Sequence, residues 1–270
     1  MLPLAGPPLP DSAESLASAL REGLARHGTA AREIAVAGGA WPELETLRID
    51  FTGLALTRAQ RLPLAESAGE RRIEVAEFAL IAAPLQFENA PVDLSLRATQ
   101  AAFTFSKSAG GEPMLALTDA ARGELALEIR RDAIETLLHG LATQAAGEHG
   151  VEVKKTRVEL AARSPRELVF RAEVTAKMFI ATATVTLDGE LAVDDQLDAR
   201  LSNLRFGGEG MIASAAGGFI RPALAKLDGR TFSLMALSLG GIRLRDLQLR
   251  GGDSLRLTAQ FGSDATPTSS

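Results

Sequence analysis

Strict alternation of apolar and polar side chains is the feature that most constrains how this chain can fold. After Glu167, apolar residues recur at every second position, with Arg, Glu, Thr and Lys between the later ones. In a β-strand, successive side chains point to opposite faces, so a two-residue repeat puts all the apolar residues on one face. The run therefore predicts a strand with one face against a core and the other in water. Its apolar members are Leu168, Phe170, Ala172, Val174 and Ala176.

The apolar set changes parity at Lys177 and Met178. Because a slip of one residue inverts every later side chain, a bulge or a tight turn is expected there. Beyond that point the apolar set becomes Phe179, Ala181, Ala183, Val185 and Leu187.

Turn-forming residues separate this stretch from further alternating runs. Consecutive strands joined by such short turns form antiparallel hairpins. The predicted turns are Ser164–Glu167, Asp188-Gly189, Asp194-Asp195 and Gly251–Asp253. Shorter runs in the first half predict shorter strands around Leu47–Phe51, Ile73–Val75, Val92–Leu96 and Phe103–Phe105.

Three segments have helical character, and each is followed by strand-like sequence. The first spans Ser12 to His27, with Ser12 as N-cap and Gly28 as stop. The second begins near Asp132, and Ile134, Leu137, Leu138 and Leu141 give it an i, i+3, i+4, i+7 stripe. The third spans Met211 to Asp228. This order predicts an α+β fold in which helices gather on one face of an antiparallel sheet.

The third segment lacks a polar face. Its polar residues are Ser214, Arg221, Lys226 and Asp228. It also carries the Gly217-Gly218 pair and Pro222, which are unfavourable inside a helix. We expect a helix that is enclosed by the sheet, closely approached at its glycines and bent at its proline.

Composition excludes several classes of protein. The formal net charge is −5 and the pI is about 5.4, which argues against a nucleic-acid binder because those proteins carry a basic surface. The absence of cysteine excludes disulfides and thiolate chemistry. The chain has three histidines and no HExxH, GxSxG, P-loop or GxGxxG pattern. We therefore expect no catalytic residues, no metal and no cofactor.

Two polar positions leave alternatives open. Ser214 lies in the run I-A-S-A-A, which resembles a nucleophile elbow without its glycines. A serine that packs a helix competes there with an esterase. The Asp194-Asp195 pair suits either a cation site or a turn between strands, and turn chemistry favours the turn.

The chain ends and the hydropathy pattern bear on location. The proline-rich residues 1–11 and the tail at residues 263–270 are predicted to be disordered, with a single domain at residues 12–262, divided between residues 130 and 131. No run of about 18 apolar residues suggests a spanning helix, and MLPLAGPPLP lacks a basic n-region. We expect a cytoplasmic or peripheral membrane protein, or a periplasmic one if a leader segment has been removed.

Small and basic side chains on the predicted strands each allow two interpretations. The alanines at 172, 176, 181 and 183 face a helix of Ala, Gly and Ser, which either packs closely or leaves a void that a ligand fills. A diffuse basic fringe is either a solvated face or a contact with anionic lipid headgroups. It comprises Lys154, Lys155, Arg157, Arg171, Arg243, Arg245, Arg250 and Arg256.

The second half resembles the LmeA-like phospholipid-binding family of bacteria. The resemblance rests on the order GELALEIRRDAIETLL, VEVKKTRVELAARSPRELVFRAEVTA, ATATVTLDGELAV and LSLGGIRLRDLQLRGGDSLRLTAQF, and the leading helix extends it over roughly residues 12–262. That family is similar to the tubular lipid-binding proteins, the superfamily of bactericidal permeability-increasing protein. The resemblance implies a long, strongly twisted antiparallel sheet wrapped around two to three helices, with lipid held between them and no catalytic residues.

These observations lead to an expected function with one rival. We expect a non-enzymatic binder or carrier of phospholipid or another long-chain apolar molecule, with peripheral membrane contact. The rival is a structural or interaction protein with a filled core, which forms a homodimer through a strand edge or docks on a membrane-associated partner. The expected ligand-lining residues are Phe170, Val174, Phe179, Ala183, Val185, Met211, Ala215 and Phe219.

Overall fold

The computed structural model describes residues 1–56, 65–67, 72–147, 151–178, 181–194, 197–233, 242 and 244–263. Strands dominate, and the three predicted helices are present, so the α+β class is confirmed. The helices are α1 (Ala13–Arg26), α2 (Arg131–Gly147) and α3 (Gly210–Leu227). The strands are β1 (Leu2–Pro3), β2 (Glu33–Ala37), β3 (Glu43–Asp50), β4 (Ala55–Leu56), β5 (Ala65–Ser67), β6 (Arg72–Phe87), β7 (Ala90–Ser108), β8 (Pro113–Asp119), β9 (Arg122–Arg130), β10 (Glu152–Ser164), β11 (Glu167–Met178), β12 (Ala181–Val193), β13 (Asp198–Gly208), β14 (Thr231–Ser233), β15 (Leu244–Arg250) and β16 (Ser254–Phe261).

The chain folds into two compact units. Unit 1 comprises Met1–Leu127, Met235–Asp246 and Thr258–Ser270, and unit 2 comprises Glu128–Leu234 and Leu247–Leu257. The boundary at residue 127 lies close to the division predicted between residues 130 and 131. The grouping of both halves into one domain stays a prediction.

Unit 1 contains most of a mixed sheet. The strand order is β15-β16-β9-β7-β6-β3-β2, and β8, β5, β4 and β1 pair beside this path. β3 runs parallel to β6, as does β4, whereas the other registered pairs are antiparallel. The expectation of a purely antiparallel sheet is therefore wrong here. The 21 residues from Phe51 to Arg71 separate β3 from β6, which is long enough for the crossover that a parallel pair requires.

Helix α1 begins and packs as its sequence predicts. The Ser12 hydroxyl accepts a hydrogen bond from the Ser15 amide, and the Ser15 hydroxyl accepts one from the Ser12 amide. This reciprocal capping box satisfies amides that the first helical turn leaves without partners. Leu16, Leu20 and Leu24 are completely buried, so their four-residue spacing marks the side of α1 that packs into the core.

The N-terminal segment, which the sequence predicts to be disordered, includes the short strand β1. β1 pairs with β8, and Leu2 and Leu4 are 4% and 2% exposed. Proline prevents regular hydrogen bonding but does not prevent burial of the leucines beside it. Gly23 of α1 makes room, because a Cβ there would lie 2.3 Å from the Pro3 carbonyl oxygen. Residues 264–270 of the predicted disordered tail lie outside the described residues.

We expect Gly23→Ala to weaken the docking of the N-terminal segment. Alanine normally stabilises a helix interior by about 0.5–1 kcal/mol relative to glycine, but the overlap with Pro3 should reverse that and cost about 1–3 kcal/mol. Thermal denaturation and limited proteolysis at residues 5–11 measure the effect. Gly140→Ala in α2 is the matched control, because nothing lies within 4 Å of its Cβ position. Equal shifts in melting temperature for the two variants would contradict the prediction.

Unit 2 contains a five-stranded antiparallel sheet in the order β10-β11-β12-β13-β14. Met178 of β11 pairs with Ala181 of β12, so the change of parity marks a tight reversal between two strands. Phe179 lies outside the described residues. The predicted turns at Ser164–Glu167 and Gly251–Asp253 also separate adjacent strands.

The prediction of a turn at Asp188-Gly189 is wrong. Both residues lie within β12, where Gly189 pairs with Phe170 of β11. A Cβ on Gly189 would lie 2.3 Å from Phe170 Cζ and 2.7 Å from Leu204 Cδ2. This glycine accommodates an aromatic ring from the next strand, which is a recognised use of glycine in sheets.

The sequence suggested that helix α3 is enclosed by the sheet, but some of its described residues are exposed. Ala213 and Gly217 are buried, whereas Ser214, Gly218 and Lys226 are exposed. Only one of the paired glycines is closely approached: a Cβ on Gly217 would lie 3.2 Å from Phe206 Cε1, and nothing lies within 4 Å of one on Gly218. α3 therefore packs by one side, with the other side in water. Among the described residues, no helix is both long and apolar enough to cross a membrane.

Candidate functional site

The sheet of unit 2 has one apolar face, and strand register shows which side chains share it. Val174 pairs with Val185, and Phe170 pairs with Leu160 on one side and Gly189 on the other. Since paired residues project to the same side of a sheet, these residue pairs define one surface. Several larger side chains of this apolar face are incompletely buried: Leu160, Phe170, Val174, Val185, Leu187, Leu204 and Phe206.

These larger side chains are only half-buried. The buried side chains of the same face are Val153, Val158, Ala172, Ala176 and one larger residue, Leu168. Exposed apolar surface of this kind costs about 25 cal/mol for each Å² left in contact with water. The apolar face is thus incompletely covered by the protein itself.

Unit 1 is packed differently. The twelve largest completely buried side chains of the described chain include eleven in unit 1 and one, Leu247, in unit 2. Phe78 and Phe103 pack edge to face in unit 1, with ring centroids 5.0 Å apart. Unit 1 therefore has a filled core. The incompletely covered apolar surface is a feature of unit 2.

Helix α3 covers part of the apolar face through small residues. Ala213 Cβ lies 2.9 Å from the position that a Cβ on Gly208 would occupy, and Val185 Cγ1 lies 3.2 Å from it. One turn later, Gly217 contacts the Phe206 ring. The Arg221 guanidinium lies over the same ring, with Cζ 5.8 Å from its centroid, which is a cation–π distance.

Helix α2 borders the same face along strand β10. The Glu135 carboxylate accepts a hydrogen bond of 2.9 Å from the Val158 amide, and the His139 ring nitrogen Nδ1 lies 3.4 Å from the Thr156 hydroxyl. Ala133 is buried, whereas Leu141 is 37% exposed. The predicted apolar stripe of α2 is therefore only partly covered.

Four of the eight residues predicted to line a ligand meet on this apolar face. Phe170, Val174, Ala183 and Val185 share it by register. Met211, Ala215 and Phe219 lie in α3, but their side chains, like Phe179, fall outside the described part. The role of all eight in binding stays a prediction.

The sequence analysis did not include Leu160, Leu187, Leu204, Phe206 or Arg221 among the expected ligand-lining residues. Leu187 belongs to the alternating run, so the two-residue period could have predicted its place on the apolar face. Phe206 and Leu204 belong to β13, where a register shift opposite Gly189 obscures the period of two. Arg221 could be assigned to the site only from the structure, since its importance comes from its contact with Phe206.

The opposite face of the same sheet is polar. A cavity of about 490 Å³ is lined by charged residues of four strands together with apolar ones, Leu160 and Phe170 among them. The Glu190 carboxylate accepts hydrogen bonds of 2.6 Å from the Asn203 amide and 2.7 Å from the Arg163 guanidinium. These bonds, the Asn203 one foremost, lower the pKa of Glu190 below its ordinary value. This balanced network suits a solvated surface.

The basic fringe is partly neutralised. Lys154 pairs with Glu152, Arg171 with Glu173 and Asp188, and Arg256 with Glu128. The Arg256 guanidinium and the Ser254 hydroxyl lower the pKa of Glu128. Arg243 lies outside the described residues. The solvated-face interpretation therefore fits the three paired cations, and contact with lipid headgroups stays a prediction.

The two remaining polar positions show simple local structure. Asp194 lies in the connection after β12, where its amide donates to the Asp198 carbonyl and its carbonyl accepts from the Leu197 amide; Asp195 is outside the described part. Ser214 is an exposed residue of α3. Within the described ranges, no three His, Asp or Glu side chains cluster as metal ligands would.

Comparison of the chain with family models, with curated proteins and with solved structures finds no match.

Proposed function

We propose that unit 2 binds a long apolar chain, such as the acyl chain of a phospholipid, on the apolar face of its sheet. The observation that carries the proposal is the half-buried state of Leu160, Phe170, Val174, Val185, Leu187 and Phe206. A filled core would bury such side chains almost completely. A bound chain completes their burial.

The placement of the helices supports this function. Thr156, which contacts α2, and Phe206, which contacts α3, project from the same side of the sheet, because Thr156 pairs with Val174 and Phe206 with Leu187. Both helices therefore border one surface. In the proposed architecture, similar to that of the tubular lipid-binding proteins, the twisted sheet curls around α2 and α3, and the ligand lies between helix and sheet.

The energetics favour an apolar ligand that needs few polar contacts. Each buried methylene group contributes about 0.8 kcal/mol, so ten methylene groups contribute on the order of 8 kcal/mol before the entropic cost of binding. Specificity then depends mainly on the shape and length of the groove. No chemical step is required of the protein.

The rival function, a strand-edge interaction module, has less support in this unit. β10 is an edge strand, and Lys154, Lys155 and Arg157 are exposed on it. Charged side chains on an edge oppose pairing with another chain. The Glu135 carboxylate also occupies the Val158 amide, which an added strand would need.

Ala183→Phe is expected to block ligand binding while the protein stays folded. Ala183 is half-buried on the apolar face opposite Ala176, so a phenyl ring there fills the proposed groove. A loss of affinity of at least roughly 10-fold for a fluorescent long-chain lipid is expected, equivalent to about 1.4 kcal/mol. The melting temperature should change by less than about 4 °C.

The neighbouring Thr182→Phe is the matched control, because Thr182 is exposed on the opposite face of the same strand. It should retain lipid binding. Native mass spectrometry of the purified protein, with extraction of bound lipid, gives an independent measurement. The proposal fails if the wild-type chain neither carries extractable lipid nor binds the fluorescent probe. Loss of folded structure in Ala183→Phe would favour a filled core instead.

A further inference from the structure

Helix α3 carries an exposed arginine, Arg221, whose guanidinium lies beside the Phe206 ring of the sheet. Ala213, Gly217 and Arg221 are spaced at four-residue intervals, which puts them on one side of a helix. The first two are buried against the sheet. Arg221 continues this stripe, and its Nε lies 3.4 Å from the position that a Cβ on Gly217 would occupy.

The surroundings of Arg221 are apolar on the sheet side. Its guanidinium lies over Phe206, which pairs with Leu187 on the half-buried apolar face. In the described part of the chain, no carboxylate forms an ion pair with Arg221, whereas Arg163, Arg171 and Arg256 of the same unit each have at least one. Arg221 thus differs from these arginines in its partners.

Among the residues that the structure describes, no hydrogen bond engages the donors of Arg221. A guanidinium carries five N–H donors in a fixed planar arrangement, and stacking on a ring engages its face rather than those donors. They are available for a planar or tetrahedral anion, which accepts two parallel hydrogen bonds from one arginine. The cation therefore lies at the border between apolar surface and water, where the polar end of an amphiphile would be.

We propose that Arg221 binds the anionic headgroup of an amphiphile whose chain lies on the apolar face of unit 2. This inference rests on the proposed function. The ligand class is a long-chain molecule that ends in a carboxylate or a phosphate ester. The Phe206 ring holds the guanidinium in place, and the acid group accepts its hydrogen bonds. Neutral long-chain molecules bind the same apolar face without this contact.

The test compares probes that differ only in their acid group. A fatty acid is paired with the alcohol of the same chain length, and a phosphatidic acid with the matching diacylglycerol. The wild-type protein should prefer the acid in at least one pair, by roughly 10-fold as expected for a charge-assisted hydrogen bond. Arg221→Gln should lose this preference and keep its affinity for the alcohol and the diacylglycerol. Arg221→Lys should retain part of it.

Lys226→Gln is the matched control, because it removes the same charge from an exposed position of α3 off the stripe. It should keep the preference for acids. A preference in the fatty acid pair identifies a carboxylate ligand, and one in the phosphatidic acid pair identifies a phosphate ligand.

If no probe of either pair binds, the proposed function fails. If the chains bind but the wild-type protein shows no preference, the role of Arg221 is overturned while the proposed function stands. The same conclusion follows if Arg221→Gln keeps the preference, or if Lys226→Gln loses it equally.

Discussion

Gly123→Ala is expected to destabilise unit 1 by about 3 kcal/mol, near the upper end for overpacking a core. A Cβ on Gly123 would lie 2.0 Å from Cε2 of Phe261, a side chain that is completely buried. The backbone of Gly123 does not require glycine, since its φ lies outside the left-handed region. The ring alone therefore forbids the methyl group. Chemical denaturation monitored by circular dichroism measures the loss.

A double-mutant cycle separates this clash from other effects of the substitution. Phe261→Ala alone should cost about 3–5 kcal/mol through the cavity that it leaves. In that background Gly123→Ala should cost little, because the methyl group occupies vacated space, and the coupling energy should exceed about 1 kcal/mol. Glu124→Ala, at an exposed position of the same strand, should change stability by no more than about 0.5 kcal/mol. Strictly additive effects of the two core changes would refute the steric explanation.

The second large effect is expected at Gly189 in unit 2. Valine there would meet both the Phe170 ring and the Leu204 side chain, whose nearest atoms lie 2.3 Å and 2.7 Å from the Cβ position. We expect Gly189→Val to destabilise the unit by about 2–3 kcal/mol. Displacement of Phe170 should also disturb the apolar face, so the same variant should bind a fluorescent long-chain lipid less tightly.

A smaller side chain at position 170 should relieve the strain at Gly189. Phe170→Leu combined with Gly189→Val should recover at least half of the lost stability, because the leucine leaves room where the ring lay. The control is Asp188→Val, at the neighbouring position of the same strand, where the side chain faces the polar side. It introduces the same valine, so it measures the effect of β-propensity alone. If Gly189→Val were as stable as Asp188→Val, the packing of Phe170 over Gly189 would have no energetic importance.

Local sequence signals predicted much of the fold. The cap at Ser12 and the leucines spaced by four residues predicted α1 and its buried side. The alternation after Glu167 predicted β11 and its two faces, and the parity change predicted the reversal into β12. Each of these signals depends on residues that are close in sequence, where period and turn chemistry are informative.

Other features depend on residues far apart in sequence and were missed. The parallel pairing of β3 with β6 involves a long crossover, which no local pattern reveals. Gly189 was interpreted as a turn because glycine occurs both in turns and under aromatic rings, and only the partner strand distinguishes the two. The pairing of β1 with β8 likewise joins residues more than a hundred positions apart, which the prolines near Leu2 and Leu4 do not indicate.

At the candidate site, sequence and structure contribute different parts. Alternation placed Phe170 with Val174 on one face of β11, and Ala183 with Val185 on one face of β12, and the register between the two strands joins these faces. It could not show that these side chains remain half-buried, because burial depends on how completely other elements cover them. Nor could it connect Arg221 with Phe206, whose contact joins a helix to a strand.

The pairing of the last strand has a consequence for synthesis on the ribosome. β16 is the sheet neighbour of β9, and Arg256 binds Glu128, which precedes it by 128 residues. Until Ser254 and the residues after it have emerged, β9 has one edge without its native partner, and the ring that fills the space over Gly123 is absent. Such distant pairing slows folding and extends the time for which a strand edge is open to aggregation. A nascent chain of this protein therefore needs Ser254–Phe261 before the sheet that it began much earlier is complete.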